Sequence, residues 1–167
     1  MKIIVSQISE LEGLRIEHVY PEGEPRLRGE ESRILGRPSL SVSVSREGAE
    51  VRMIGKVGAS VEVFCDRCLA PISISVDEAF DLLYVPPLRL EEEEEIELAE
   101  DDLRVGFYRG DELDLDDLVR EQIELALPIR RLCREDCRGL CPQCGINLNE
   151  AECFCQAEAL DPRWRVL

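Results

Sequence analysis

Eight cysteines stand at spacings that could do chemistry. Six of them fall within 23 residues as Cys133-x3-Cys137-x3-Cys141-x2-Cys144-x8-Cys153-x-Cys155, and two stand upstream as Cys65-Asp66-Arg67-Cys68. Thiols so placed can pair as disulfides, cycle in redox chemistry or wrap a metal ion. Two cysteines two or three residues apart reach one tetrahedral ion from a single tight turn. Cys141-Pro142-Gln143-Cys144-Gly145 has this form, with proline fixing entry to the turn and glycine free to take a positive φ. Cys153 and Cys155 complete a local set of four, while Cys65, Cys68, Cys133 and Cys137 make a second set that must be closed by the fold. A single site from Cys133, Cys137, Cys141 and Cys144 is the competing partition, because spacing does not fix connectivity. Four thiolates fill a zinc tetrahedron and leave no position for water or substrate, so either partition predicts structural Zn²⁺.

The alternative chemistry is thiol redox at Cys65 and Cys68, where Arg67 would favour a thiolate. That pair lacks the strand-to-helix setting of a thioredoxin-like motif. No phosphate-binding loop, dinucleotide fingerprint or HExxH motif occurs, and a histidine-dependent dyad would have to use His18. The expectation is a protein that is not an enzyme and has no small-molecule substrate.

The elements that must hold these cysteines read as α+β, with a mainly antiparallel sheet, one clear amphipathic helix and a Cys-rich zinc-binding tail. Residues 1–128 form the body and 129–167 the tail, within what reads as a single domain of 167 residues. Ile3 to Ile8 reads as a strand, followed by a short amphipathic stretch around Leu11, Leu14 and Ile16. Pro21 to Pro38 reads as a long exposed loop. Leu40 to Ser45 alternates strictly, with serines on the wet face, and Glu47-Gly48 is a turn. Val51–Val57, Val61–Cys65 and Ile72–Val76 continue an antiparallel meander, since the links are too short for parallel crossovers. Phe80 to Val85 extends it and Pro86-Pro87 stops it. A linker over 88–102 follows, in which residues 91–102 carry nine acidic side chains and no basic one. The helix spans 115–127, with apolar residues at Leu115, Leu118, Val119, Ile123, Ala126 and Leu127 on one face. Asp114 is its expected N-cap, and Pro128 ends it.

Formal charge is −16, from 36 acidic and 20 basic side chains. Such a surface repels naked nucleic acid and suits a basic protein partner. Charge reverses locally between Pro128 and Asn147, where Arg130, Arg131, Arg134 and Arg138 face two acids, and Arg163-Trp164-Arg165 lies close by in sequence. These seven residues are the candidates for RNA contact, arginine on phosphate and tryptophan on a base; neutralising thiolate charge and packing over the zinc subdomain is their simpler role. The polar start and the lack of any apolar run near membrane-spanning length lead us to expect a soluble, cytoplasmic protein without a membrane partner.

Cys65-Asp66-Arg67-Cys68-Leu69, Leu125-Ala126-Leu127-Pro128 and the run Cys137-Arg138-Gly139-Leu140-Cys141-Pro142-Gln143-Cys144-Gly145-Ile146-Asn147-Leu148-Asn149 together resemble the YceD family of large ribosomal RNA subunit accumulation proteins. The resemblance runs from about Leu40 to Cys155. It implies a ribosome-biogenesis role in processing or accumulation of large-subunit (23S) rRNA, contacted directly or through a basic large-subunit ribosomal protein. It also implies the two-site partition, because some members lack the Cys141 to Cys155 cluster yet keep the C-x-R-C pair with a ligand-like residue near Cys133 and Cys137. It carries no catalytic residue.

Overall fold

The structure is a computed structural model and describes residues 1–28, 32–87 and 105–155. The acidic linker at 88–102, and Arg163, Trp164 and Arg165, lie outside the described residues. The chain divides into two compact units: Met1–Val63 with Ser73–Ile129, and Phe64–Ile72 with Arg130 onward.

The first unit is built on a five-stranded sheet of order β2-β3-β4-β5-β6. Its strands are β2 (Leu14–Val19), β3 (Ser32–Glu47), β4 (Glu50–Phe64), β5 (Pro71–Val85) and β6 (Val105–Phe107). Strict alternation explains β3: Leu40, Val42 and Val44 are buried while the serines between them face outward. Opposite them, Val51, Met53 and Val57 are fully buried on β4. The turn between these strands has Gly48 at φ 59°, which a tight hairpin favours. Side-chain pairs Arg52–Asp81, Lys56–Asp77 and Ser60–Ser73 keep a constant sum of residue numbers, which fixes β5 antiparallel to β4.

Gly55 marks the middle of the sheet. A Cβ there would lie 2.4 Å from the Ser41 carbonyl oxygen and 2.8 Å from the Phe80 ring. Phe80 therefore lies against the bare backbone of β4, the close approach for which strand glycines are used. The same inner face carries Val76, and Gln122 of the helix lines a cavity with Gly55, Phe80 and Leu82.

The helix, α1 (Leu115–Ala126), begins where the sequence indicates. Asp114 has extended backbone and its side chain accepts from the Asp116 N–H at 2.9 Å. Leu115, Leu118, Val119 and Ile123 are buried. Just before it, β7 (Glu112–Asp114) pairs antiparallel with β1 (Lys2–Ile4), setting Ile3 opposite Leu113. Among the described residues, no helix is long and apolar enough to cross a membrane.

Three local expectations need correction. The Ile3–Ile8 strand stops at Ile4 and turns into a 3₁₀ turn over Val5–Gln7, held by Val5 N–H on the Asp111 carbonyl at 2.9 Å. The stretch around Leu14 and Ile16 is the edge strand β2, in register with β3 from Leu14↔Val44 to Val19↔Ser39. The region expected as a loop up to Pro38 is already strand from Ser32. Register with β4 steps between Leu35 and Ser39, so Gly36, Arg37 and Pro38 face the single residue Ala59. Gly36 takes φ 69°, and this bulge is the place where a strand tolerates both glycine and proline. The meander also gains a member that runs the other way: β6 pairs parallel with β5, Leu83↔Val105 to Val85↔Phe107.

Candidate metal centre

Residues 65–70 form the turn joining β4 to β5 and carry the first C-x2-C. Cys65 N–H donates to the Ala70 carbonyl at 2.9 Å, and Leu69 N–H to the Cys65 carbonyl at 2.9 Å. Seventy-six residues later the same bonds recur. Cys141 N–H donates to Ile146 and Gly145 N–H to Cys141, each at 2.9 Å. Both turns place the residue after their second cysteine in the left-handed region, Leu69 at φ 57° and Gly145 at φ 71°. The two knuckles thus share one backbone conformation. In each, N–H groups of the two residues that close the C-x2-C point at the first sulfur: Arg67 and Cys68 at Cys65, Gln143 and Cys144 at Cys141.

The eight thiols fall into two sets of four, Cys65/Cys68/Cys133/Cys137 and Cys141/Cys144/Cys153/Cys155. Within each set all four sulfurs lie within 4.8 Å of one another. Cys65 and Cys137 sulfurs are 3.9 Å apart and Cys68 and Cys133 3.6 Å; in the second set Cys144–Cys153 is 3.5 Å and Cys141–Cys153 3.3 Å. A tetrahedron with metal–sulfur bonds of about 2.3 Å has sulfur–sulfur edges of about 3.8 Å. All eight cysteines are free of disulfides. The donor sets therefore fit a tetrahedral, thiophilic divalent ion, and the sulfurs group as two sets of four rather than as one set with the others apart.

Electrostatics point the same way. Burial pushes the Cys65 thiol up, but the N–H groups of Cys68, Arg67 and Cys133 outweigh it and bring it down to about 6. Cys141 is brought down to about 6 by the N–H groups of Cys144 and Gln143, helped by the Cys153 side chain. At the other extreme, burial together with the Cys137 and Cys68 sulfurs pushes Cys133 up to about 12. Neighbouring Cys153 and Cys144 do the same to Cys155, also to about 12. Each set thus contains a ready thiolate, Cys65 or Cys141, and a thiol that resists joining it, Cys133 or Cys155. A divalent cation removes that resistance, because it offsets the repulsion among four negative sulfurs.

The sites differ in burial. In the first, Cys65, Cys68 and Cys137 are buried, packed with Ala70, Leu132 and Leu140, and Cys133 is exposed; in the second, Cys141 alone is buried, Cys153 is half-buried, and Cys144 and Cys155 are exposed. Gly139, Leu140 and Asn149, together with Arg67, connect the two sets. Gly139, at φ 77°, lies so close to the first knuckle that a Cβ would sit 3.0 Å from the Arg67 carbonyl oxygen. Leu140 N–H donates to that oxygen at 3.1 Å, and the Arg67 guanidinium to the Cys137 carbonyl at 2.7 Å. Asn149, from the loop between Cys144 and Cys153, donates to the Cys137 sulfur at 3.3 Å. The only sequence signal for Asn149 was its place in the Gly145-Ile146-Asn147-Leu148-Asn149 run.

The arginines separate into two groups. Arg131 is half-buried; its backbone N–H donates to Asp66 Oδ2 at 2.6 Å and its Nε lies 3.3 Å from Asp66 Oδ1. Arg134 donates to Asn149 Oδ1 at 2.8 Å and lies 3.3 Å from Asp136. Arg130 and Arg138 have exposed side chains.

Residues 53–167 match the model of the YceD family, described as large ribosomal RNA subunit accumulation protein YceD. An uncharacterised protein of Mycobacterium tuberculosis is 34% identical over 128 residues, which cover 77% of this chain and 59% of that protein. A chloroplastic large ribosomal RNA subunit accumulation protein YCED homolog 1 of Arabidopsis thaliana is 26% identical over 171 residues, covering 85% and 47%. Its namesake in Zea mays is 28% identical over 140 residues, covering 70% and 48%. The chain thus spans 59% or less of the length of these relatives, and no solved structure matches it significantly. The matched segment contains all eight cysteines and both knuckles, and on that match the chain belongs to the YceD family.

Proposed function

We propose that this protein is a non-catalytic ribosome-biogenesis factor, acting in the cytoplasm on accumulation or processing of large-subunit (23S) rRNA and stiffened by two structural Zn²⁺ ions. Family membership supplies the ribosomal part of this reading. The observation that carries the rest is the pair of closed four-sulfur sets. Cys65, Cys68, Cys133 and Cys137 would hold one ion, and Cys141, Cys144, Cys153 and Cys155 the other. A bound Zn²⁺ supplies cross-linking here: it ties segment 64–72 to the Cys-rich tail and offsets thiolate charge. Structural zinc suits a unit whose apolar cluster, among the described residues, contains only Ala70, Leu132 and Leu140 besides cysteine.

Charge favours a basic partner. Segments 64–72 and 130–167 carry seven basic and seven acidic side chains, so the formal −16 falls entirely on the rest of the chain. An acidic body of this kind suits a basic large-subunit ribosomal protein, with rRNA engaged locally. Arg130 and Arg138 are the described candidates for that local contact, since Arg131 and Arg134 are engaged within the unit.

The experiment is purification of the tagged protein from cells at two salt concentrations, with zinc, copurifying rRNA and copurifying proteins quantified. The reading expects two zinc ions per chain, together with large-subunit rRNA precursors and ribosomal proteins that are lost at high salt. Salt-independent binding to naked rRNA without a protein partner would overturn the electrostatic mechanism. The redox alternative has one observation in its favour, the Cys65 thiol lowered to about 6. Metal-free, rapidly alkylated Cys65 that cycles with reductant would establish it; full burial of that sulfur argues against such access.

A further inference from the structure

Asn149 belongs by sequence to the second cysteine set and by contact to the first. It lies in the loop between Cys144 and Cys153, yet its Nδ2 donates to the sulfur of Cys137 at 3.3 Å. Its orientation is fixed by the surrounding donors. Oδ1 accepts from the Arg138 N–H and from the Arg134 guanidinium, both at 2.8 Å, so the NH₂ group must face Asn147 Oδ1, at 2.8 Å, and Cys137. The backbone is held as well: Asn149 N–H donates to Asn147 Oδ1 at 3.0 Å, and Leu148 N–H to the Gly139 carbonyl at 2.9 Å. Asn147 in turn donates to Glu150 at 2.8 Å. Apart from Arg134, which lies between the Cys133 and Cys137 ligands of the first set, these anchors fall in the segment from Cys137 to Cys153, whose path the second site closes.

From this geometry we infer that Asn149 is a positioning residue that couples the two metal sites: closing the second set around its ion fixes the loop that aims the Asn149 amide at a ligand of the first. This rests on the two-site zinc reading above. An N–H donor on a ligating thiolate stabilises its negative charge and fixes its direction, and outer-sphere partners of this kind change metal affinity by about 10- to 100-fold. The coupling is reciprocal, because the order the loop gains from either ion is available to the other.

The test uses the full chain loaded with Zn²⁺, titrated with a chromophoric chelator, and loaded in parallel with Co²⁺ for thiolate-to-cobalt charge-transfer spectra. Asn149→Ala removes both donor and acceptor, whereas Asn149→Asp keeps the acceptor toward Arg138 and Arg134 and loses the donor. Both variants should bind two ions but hold the first-site ion about tenfold or more weakly. In both, the charge-transfer band should shift to lower energy, since a thiolate without its donor is easier to oxidise. Restoration of wild-type affinity and spectrum by Asp would assign Asn149 a merely structural role and overturn the inference. Cys144→Ser, which opens the second site, should weaken the first site by a similar factor in the wild-type background and add little in the Asn149→Ala background. Independent, multiplicative penalties would also overturn it. Circular dichroism checks that each variant keeps its sheet. A wild-type chain that binds no zinc would overturn the two-site reading itself, an outcome distinct from two bound ions that ignore each other.

Discussion

The two knuckles differ at one decisive position, and that difference predicts opposite responses to substitution. Gly145 and Leu69 occupy equivalent left-handed positions, at φ 71° and 57°. A Cβ at Gly145 would meet nothing within 4 Å, so Gly145→Ala adds no clash and its cost is purely conformational. For an L-residue the left-handed region costs about 1–2 kcal/mol, part of which alanine recovers by restricting the unfolded chain. The net is about 1 kcal/mol, or about fivefold weaker zinc at the second site, where metal binding and local folding are linked. Leu69→Gly runs the other way. It removes the left-handed penalty, adds about 0.5–1 kcal/mol of glycine entropy, and gives up little burial because Leu69 is 60% exposed. First-site affinity should therefore hold or rise, by up to about tenfold before the small loss of burial. Chelator competition resolving the two ions measures both. If Gly145→Ala is neutral, or Leu69→Gly costs as much as Gly145→Ala, the shared knuckle conformation does not govern metal affinity and the argument fails.

The remaining predictions concern the sheet, the helix and protons. Gly55→Ala should destabilise the first unit by about 2 kcal/mol and lower Tm by about 4–8 °C, because its Cβ meets the backbone oxygen of Ser41 as well as Phe80. Adding Phe80→Leu should not rescue it, and recovery in a thermal melt would show that the ring alone was the obstacle. Asp114→Ala removes the acceptor for the Asp116 N–H and should cost about 1 kcal/mol, a drop of about 2–4 °C in Tm; an unchanged melt would deny the cap its role. Metal uptake near neutral pH should release two or more protons per site. Cys68 and Cys133 in one set, and Cys153 and Cys155 in the other, have raised thiol pKa values and still hold protons there. Because binding displaces those protons, zinc affinity must rise with pH through the neutral range and fall on acidification. Calorimetry in buffers of different ionisation enthalpy counts the protons, and a count near zero would mean the thiols are already ionised.

Local sequence determined the pieces of this protein. The alternation Leu40-Val42-Val44 and the 3.6-residue period from Leu115 to Ile123 each use one short-range rule, so strand and helix could be read without any partner. The knuckles were equally legible, because two cysteines and their turn lie within six residues. Tertiary structure decided everything that joins distant residues. Which cysteines come together depends on segment 64–72 meeting 133–137, a closure that spacing leaves open between two partitions. The strand running from Ser32 through Pro38 looked like a loop, because its bulge makes sense only against Ala59 on the facing strand. The parallel pairing of β6 has no local signal, since orientation is set by the connection and not by the three residues themselves. Asn149 carried no role of its own in the sequence, and only the approach of its amide to the Cys137 sulfur singles it out.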